Sequence, residues 1–427
     1  MLKPTGSIYL HCDPTASHYL KILMDAVFGP VSFRNEIIWK RTTTHSDAKR
    51  WSPITDTILF YSRSDSFTWH PQHAAHDPEY VRKKYRYDDH DGRGAYRLDN
   101  MASPNPRPNM MYEWKGFASP PKGWRYSKET MARLDAEGRI WYPDSTAKRP
   151  QVKRYLNEMP GTLLGNAWTD ISPINSQAQE RLGYPTQKPE ALLERIVLAS
   201  SNEDDLVLDP FCGCGTAIVV AQRLNRRWIG IDITHLAITL LKHRLKDTFG
   251  DSVAYEIIGE PVSLPDAATL AKQDPYQFQW WALGLVGARP VEQKKGSDRG
   301  IDGRLYFHDE GEGGQTKQVI LSVKAGHTTT AHLRDLRGVV DREQAEIGVL
   351  ITMQEPTQPM RSEAATAGFY HSLGWNQDYP RLQILTVAEL LEGKGIDMPP
   401  LWQVSTTFKK APKARRKRGH NLLLPMD

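Results

Sequence analysis

The spacing of apolar and polar positions divides the chain into stretches of different rhythm. Residues 7–13 (SIYLHCD) read as a buried strand, and a helical pattern follows from Ala16 to Phe28. NEIIWKR at 35–41 and DTILFYS at 56–62 are rich in β-branched and aromatic residues, which predicts two more strands. From about 64 to 170 the periodicity fades, and Pro, Gly, Arg and aromatic residues dominate, as in a long inserted module. It returns at 189–201, where Leu192, Leu193, Ile196 and Val197 share one helix face. A strand at 206–211, a helix from about Thr216 to Leu224, a strand at 228–233 and a helix starting at His235 follow. This alternation predicts a doubly wound α/β sheet. A Pro-containing break near 260–275 precedes a final region. That region reads as helix (277–287), strands (301–307 and 318–324), helix (331–345), strand (347–352), helix (359–370) and a strand near 382–386.

At about 100–200 residues per domain, 427 residues suggest two or three domains. A hydrophobic share of 39% without Gly excludes wholesale disorder. No run approaches the roughly 18 apolar residues of a transmembrane helix, so no membrane partner is expected. The start, MLKPTGSIYLHCDPT, lacks a basic region followed by an apolar core, so no secretory signal is expected. Cys12, Cys212 and Cys214 make neither a disulfide framework nor zinc-finger spacing, and a reduced, cytoplasmic protein is expected.

The net charge of +5 is unevenly placed. The tail Lys409–Arg418 holds seven basic residues and no acidic one. Between Val81 and Tyr155, 17 Lys and Arg face 9 Asp and Glu. The same stretch carries Trp114, Phe117, Trp124, Tyr126, Trp141, Tyr142 and Tyr155. Two readings are open: a surface for a polyanion with stackable bases, or a module whose rings form a small local core.

The most informative segment is Asp209-Pro210-Phe211-Cys212-Gly213-Cys214-Gly215-Thr216, between a strand and a helix. Gly213 and Gly215 let the backbone turn tightly and approach a ligand at the carboxyl end of the strand. The next strand ends in Gly230-Ile231-Asp232, and an acid there is placed to bind the hydroxyls of a ribose.

These motifs, with the upstream Tyr184-Pro185-Thr186-Gln187-Lys188-Pro189, resemble those of the DNA amino-methyltransferases. The motif order is similar to that family's β arrangement, over roughly residues 1–250. The resemblance implies a Rossmann-like sheet that binds S-adenosyl-L-methionine. Asp209, Pro210, Phe211, Gly213, Gly215 and Thr216 would hold the methionine part and Asp232 the ribose, with Lys188 lining the pocket. It further implies methyl transfer to an exocyclic amine of a flipped base in double-stranded DNA, adenine N6 favoured over cytosine N4, within a restriction–modification system. The implied divisions are a partial catalytic half (1–64), a target-recognition region (65–175), a cofactor half (176–258), an endonuclease-like domain (266–395) and a basic tail (403–427).

One part of the pattern is not found. The family presents Asp, Asn or Ser, then Pro-Pro and an aromatic, to the target amine. Ser119-Pro120-Pro121-Lys122, Met398-Pro399-Pro400-Leu401 and Asp170-Ile171-Ser172-Pro173 each depart from it. Since the strand at 7–13 resembles the one following the catalytic motif, the family order implies a sheet lacking a central strand. It also implies a missing N-terminal portion or a complementary subunit.

Near the C-terminus, Gly296–Gly303 enters a strand and Ser322-Val323-Lys324 ends the next. This looks like the Mrr-type restriction endonuclease domain of the PD-(D/E)XK group. Asp302 would then bind Mg²⁺ and Lys324 orient the attacking water. That family usually carries Glu or Gln where Ser322 stands and a helical Glu where Gln279 stands, so the anionic ligand count is lower here. Three readings of this domain stay open: an active Mg²⁺-dependent endonuclease, a non-catalytic DNA-binding remnant, and an accessory domain in which Asp302 and Lys324 form an ordinary ion pair.

Overall fold

The computed structural model describes residues 2–44, 49–175, 177–291, 300–309, 315–400, 407 and 411–412. The chain divides into two compact units, one of residues 1–68 with 167–427 and the other of 69–166. Nearly all of the basic tail, and residues 296–299 of the endonuclease-like motif, lie outside the described residues.

In the first unit the chain opens with β1 (Ser7–Cys12), α1 (Ser17–Phe28), β2 (Phe33–Lys40) and β3 (Thr55–Ser62). With β4 (Ala167–Trp168) they form a sheet in the order β1-β3-β2-β4, with β3 antiparallel to both β1 and β2. Met24 of α1, with Leu20 and Phe28, packs on Leu59 and Tyr61. Leu192 of α2 (Glu190–Ser200) packs into the cluster of Ile37, Trp39, Ile58, Phe60 and Trp168. The sheet is thus covered on both faces, as its β-branched and aromatic runs require.

Then follow β5 (Leu206–Asp209), α3 (Thr216–Arg223), β6 (Arg227–Gly230) and α4 (His235–Phe249). β5 and β6 pair in parallel as a separate two-stranded sheet. Among the described residues β1 pairs only with β3, and β5 only with β6, so the Rossmann-like alternation is present in two pieces. Lys3 Nζ to Asp205 (3.0 Å) and Tyr9 Oη to Ser200 Oγ (2.6 Å) join the pieces through side chains rather than a ladder. Leu206, Leu208 and Ile229 alternate onto one face and stay 46–49% exposed, although parallel strands are normally buried on both faces.

The expected break near 260–275 is instead a helix, α5 (Leu264–Gln273). Pro265 lies in its first turn, where a missing N–H costs nothing, and Ser263 caps it by accepting from Asp266 N–H. α6 (Pro275–Leu285) leads into a five-stranded sheet. Its strands are β7 (Arg289–Pro290), β8 (Gly303–Phe307), β9 (Lys317–Lys324), β10 (Ile347–Thr352) and β13 (Leu382–Thr386), in that order. α7 (Thr330–Arg342) and α8 (Gln358–Ala365) cover one face around Leu336 and Leu350. α5, α6 and α9 (Val387–Leu391) cover the other, around Phe278, Trp281 and Val349. This is a layered α/β domain. The helix expected over 359–370 stops at Ala365, because Gly368 is left-handed (φ +76°). An antiparallel pair, β11 (Phe369–Ser372) and β12 (Gln377–Pro380), follows in its place.

The second unit holds a three-stranded sheet of Tyr96–Asn100, Gln151–Tyr155 and Ile140–Trp141, beside the helix Lys128–Ala136. Met101, Phe117, Trp124, Met131, Ile140 and Val152 form its core, with Tyr112, Trp114, Tyr126 and Tyr142 against it. The local core takes in Phe117 and Trp124, with Trp114, Tyr126 and Tyr142 at its edge. Trp124 is fully buried and its Nε1–H donates to Tyr112 O at 2.8 Å, while Tyr155 is also fully buried. Neither ring is available for stacking on a base. Trp124→Ala is expected to destabilise this unit by about 3–5 kcal/mol, measurable as a lower urea midpoint for exchange of its core amides.

Candidate functional site

β5 delivers Asp209 to a loop that ends where α3 begins at Thr216. Gly213 (φ +50°) and Gly215 (φ +75°) are both left-handed, a region open to glycine at no steric cost. A Cβ on Gly215 would sit 2.1 Å from Leu241 Cδ1 of α4, and one on Gly213 would lie 3.0 Å from the Tyr184 ring. The loop is therefore pressed between α4 and the segment before α2.

Hydrogen bonds fix its path. Cys212 N–H donates to Ile231 O (2.9 Å), and Gly215 N–H donates to Cys212 O (2.7 Å). Phe211 N–H donates to Asp209 Oδ1 (3.1 Å). Asp232, just past β6, accepts from Gly213 N–H (2.9 Å) through Oδ2 and from Thr234 N–H and Oγ1–H (2.9 and 2.8 Å) through Oδ1. A carboxylate has about four acceptor positions, so three donors leave room for one more. Burial, and then the charge of Asp232, push the Asp209 carboxyl above its ordinary range. The two acids make a site that favours a cation. Burial and the same two charges push the Cys212 thiol up to about 12, and burial also raises Cys214. Both thiols are buried and protonated at neutral pH.

Of the residues singled out in the sequence, Asp209, Pro210, Phe211, Gly213, Gly215, Thr216 and Asp232 come together on this loop and its neighbour. Pro210 and Phe211 are exposed, whereas Thr216 is buried. Lys188 joins through its backbone, its carbonyl accepting from Thr216 Oγ1–H at 3.3 Å. Its Nζ donates instead to Thr186 O at 3.2 Å. Gln187 pins the turn before α2, accepting from Leu182 N–H (2.8 Å) and donating to Glu180 O (2.5 Å).

Sequence reasoning missed a charged cluster beneath the loop. Arg244 of α4 is 2% exposed, and its guanidinium reaches Cys214 O, Thr216 Oγ1 and Glu190. Glu190 also accepts from Arg223 at 2.5 Å. Burial alone would raise the Glu190 carboxyl, but the two guanidinium groups hold it below its ordinary range. The available signal was positional, since Arg244 follows Leu240 and Leu241 on the apolar side of its helix. At the carboxyl end of β1, His11 Nε2 lies 2.9 Å from Asp56, which also pairs with Arg41 Nε at 3.0 Å. Burial lowers the imidazole pKa and keeps it neutral. Asp170, of the Asp-Ile-Ser-Pro stretch, is engaged by Arg195 at 3.0 and 2.5 Å.

In the C-terminal domain Asp302 and Lys324 do meet, at 3.7 Å. However, Asp302 Oδ2 already accepts from Val323 N–H (2.7 Å) and Ser322 Oγ–H (3.1 Å). Gln279 turns its amide N–H toward Asp302 O (3.4 Å). Mg²⁺ takes six oxygen ligands, usually including more than one anionic group. A single carboxylate whose Oδ2 already accepts two hydrogen bonds is a sparse anionic set for it. Among the described residues no group of three His, Cys, Asp or Glu side chains is placed to hold a metal. Nor is any helix among them long and apolar enough to cross a membrane.

Residues 1–243 match the family model described as DNA methylase, and residues 277–392 match that of the NACHT-associated inactive Restriction Endonuclease 1. The Type II methyltransferase M.HpaI of Haemophilus parainfluenzae is 45% identical over 291 residues, covering 68% of this chain and 69% of its own. The Type II methyltransferase M.EcaI of Enterobacter cloacae is 34% identical over 235 residues, covering 54% of this chain and 51% of its own. The chain thus spans about half the length of M.EcaI, and 47% of the Type II methyltransferase M2.DpnII of Streptococcus pneumoniae. Among solved structures, the M1.HpyAVI–SAM complex aligns at 16% identity and a TM-score of 0.29, over 57% of this chain and 76% of that one.

Two outcomes follow from the loop. Gly215→Ala adds a left-handed strain and a clash with Leu241, and is expected to cost about 2–5 kcal/mol in chemical unfolding. Disulfide-exchange labelling at neutral pH should spare Cys212 and Cys214 in the native protein and modify all 3 cysteines once it is denatured.

Proposed function

From a chain that belongs to the DNA methylase family, we infer an S-adenosyl-L-methionine-dependent methyltransferase module acting on an exocyclic amine in double-stranded DNA. Adenine N6 is favoured over cytosine N4, and the setting is a restriction–modification system. The observation that carries this reading is the pair Asp209 and Asp232 at the ends of two parallel strands, beside a loop that turns through two left-handed glycines. When bound, the cofactor supplies an electrophilic methyl group on a cationic sulfonium.

The chain's own residues bind and orient. Asp209, pushed up by burial and by Asp232, suits the positive methionine end of the ligand. Asp232, with three donors engaged, has capacity for a ribose hydroxyl. The exposed ring of Phe211 stands at the loop's outer edge, and the Lys188 backbone closes the inner one. For DNA, the basic excess between Val81 and Tyr155 supports phosphate contact more than base stacking, since several rings there are committed to a core.

The catalytic tetrapeptide has no counterpart in the sequence, and the proposal assigns its place. A segment bearing it, from a longer form of the chain or a complementary chain, would lie between β5 and β1. Two observations support this: the unpaired sides of both strands, and the uncovered Leu206, Leu208 and Ile229. The C-terminal domain is read as non-cleaving, because among the described residues no group of three His, Cys, Asp or Glu side chains is placed to hold a metal, and Asp302 Oδ2 already accepts from two of the chain's own donors.

Calorimetric titration of the chain with S-adenosyl-L-methionine tests the cofactor reading. Binding is expected, weakened at least about tenfold by Asp232→Ala, and weakened also as the pH falls through the raised range of Asp209. Absent binding, or binding indifferent to Asp232→Ala, overturns it. Methyl transfer to duplex DNA is expected only when a fragment carrying the tetrapeptide is added, and Mg²⁺ is expected to produce no nicking.

A further inference from the structure

We propose that Arg244 is a positioning residue for the cofactor loop, setting the peptide plane that shapes the methionine end of the site. This rests on the loop being a cofactor site. A peptide group flanked by two left-handed glycines is held weakly by sterics, because both neighbours rotate at little cost. The Cys214 residue between Gly213 and Gly215 is in that position. Gly215 N–H, at the other end of this peptide, is held by Cys212 O at 2.7 Å, and the carbonyl end needs a partner that holds it there.

The buried guanidinium of Arg244 does so. One of its nitrogens, Nη1, donates to Cys214 O at 3.1 Å and to Thr216 Oγ1 at 3.0 Å, on either side of Gly215. The other, Nη2, donates to Glu190 Oε1 at 2.8 Å, in the first turn of α2. Thr216 Oγ1–H in turn donates to Lys188 O. One planar fork therefore locks three pieces of chain together: α4, the loop, and the segment that closes the pocket's inner side. Arg223, on the second oxygen of Glu190, holds the carboxylate from behind. A lysine carries the same charge but not the fixed fork, so it reaches Glu190 without holding Cys214 and Thr216 together. At 2% exposure Arg244 touches no ligand, and its effect passes through the loop.

The test compares the full-length chain with its Arg244→Lys variant, using hydrogen–deuterium exchange and calorimetric titration with S-adenosyl-L-methionine and with adenosine. Exchange in residues 212–217 is expected to quicken by about tenfold or more while that of β9 stays unchanged. Affinity for S-adenosyl-L-methionine should fall by about tenfold, with adenosine within about twofold, because adenosine lacks the methionine end. Wild-type exchange in the loop overturns the proposal. So does a parallel loss of both ligands with faster exchange throughout, which marks Arg244 as merely structural. If Arg244→Lys does not fold, Thr216→Val decides: it leaves the Arg244–Glu190 pair intact and must quicken loop exchange alone, and no change overturns the proposal. Failure of the wild-type chain to bind S-adenosyl-L-methionine counts against the cofactor reading, while loop exchange still decides the role of Arg244.

Discussion

The close approach of α4 to Gly215 is the constraint on which the β5–loop–α3–β6 unit depends. With no side chain at that position, Leu241 comes to rest directly on the loop backbone. That contact brings α4 near enough for Arg244 to reach the Cys214 carbonyl and Glu190. The same crowding recurs at Gly230, where a Cβ would meet Cys212 Sγ and Ile218 Cδ1 at 3.1 Å. β6 therefore lies tight under the loop, and Asp232 emerges within reach of Gly213 N–H. Close packing at Gly215 and Gly230 thus sets the loop against β6, with Asp232 on its backbone.

The sheet is held under a different condition. Backbone groups on an unpaired strand side need partners, and water supplies them only where it has access. Among the described residues β1 and β5 each present such a side, and the side-chain links Lys3–Asp205 and Tyr9–Ser200 do not substitute for a ladder. Apolar residues on β5 and β6 add to the cost, since Leu206, Leu208 and Ile229 remain near half exposed. Such a surface is what a strand with a covering helix would bury, and its apolar character argues against a face designed for water.

Much of this was legible in the sequence, and the failures have physical causes. The β5–loop–α3–β6 unit was readable because Gly, Asp and the apolar runs fall at positions the backbone geometry demands. Pro265 was misleading: proline breaks a helix interior but is at ease in a first turn, so α5 was read as a break. Gly368 ended α8 early, and the apolar Phe369 and Tyr370 that continued its pattern belong to β11. In residues 69–166, rings and cations alternate without a period, so outward-facing and inward-facing rings look alike. Only packing separates Trp124, fully buried, from Trp69, half exposed. Arg244 escaped because a charge among leucines is noticed as an exception only when its partners, 30 and 54 residues away, are known.

In the C-terminal domain two residues meet at neighbouring strand ends, and the hydrogen bonds around them show what the acid is engaged in. Asp302 and Lys324 occupy the ends of adjacent strands and stand 3.7 Å apart, as a cleavage site would arrange them. The carboxylate, however, closes the turn into β8 by accepting from Val323 N–H and Ser322 Oγ–H. An acid at position 322 would place a second negative charge beside Asp302 and recruit a cation, whereas a serine hydroxyl satisfies Asp302 without one. Asp302 is part of the sheet's hydrogen bonding, with Lys324 Nζ 3.7 Å away. A buried acid is thus retained within the sheet of a domain whose family model bears the word inactive.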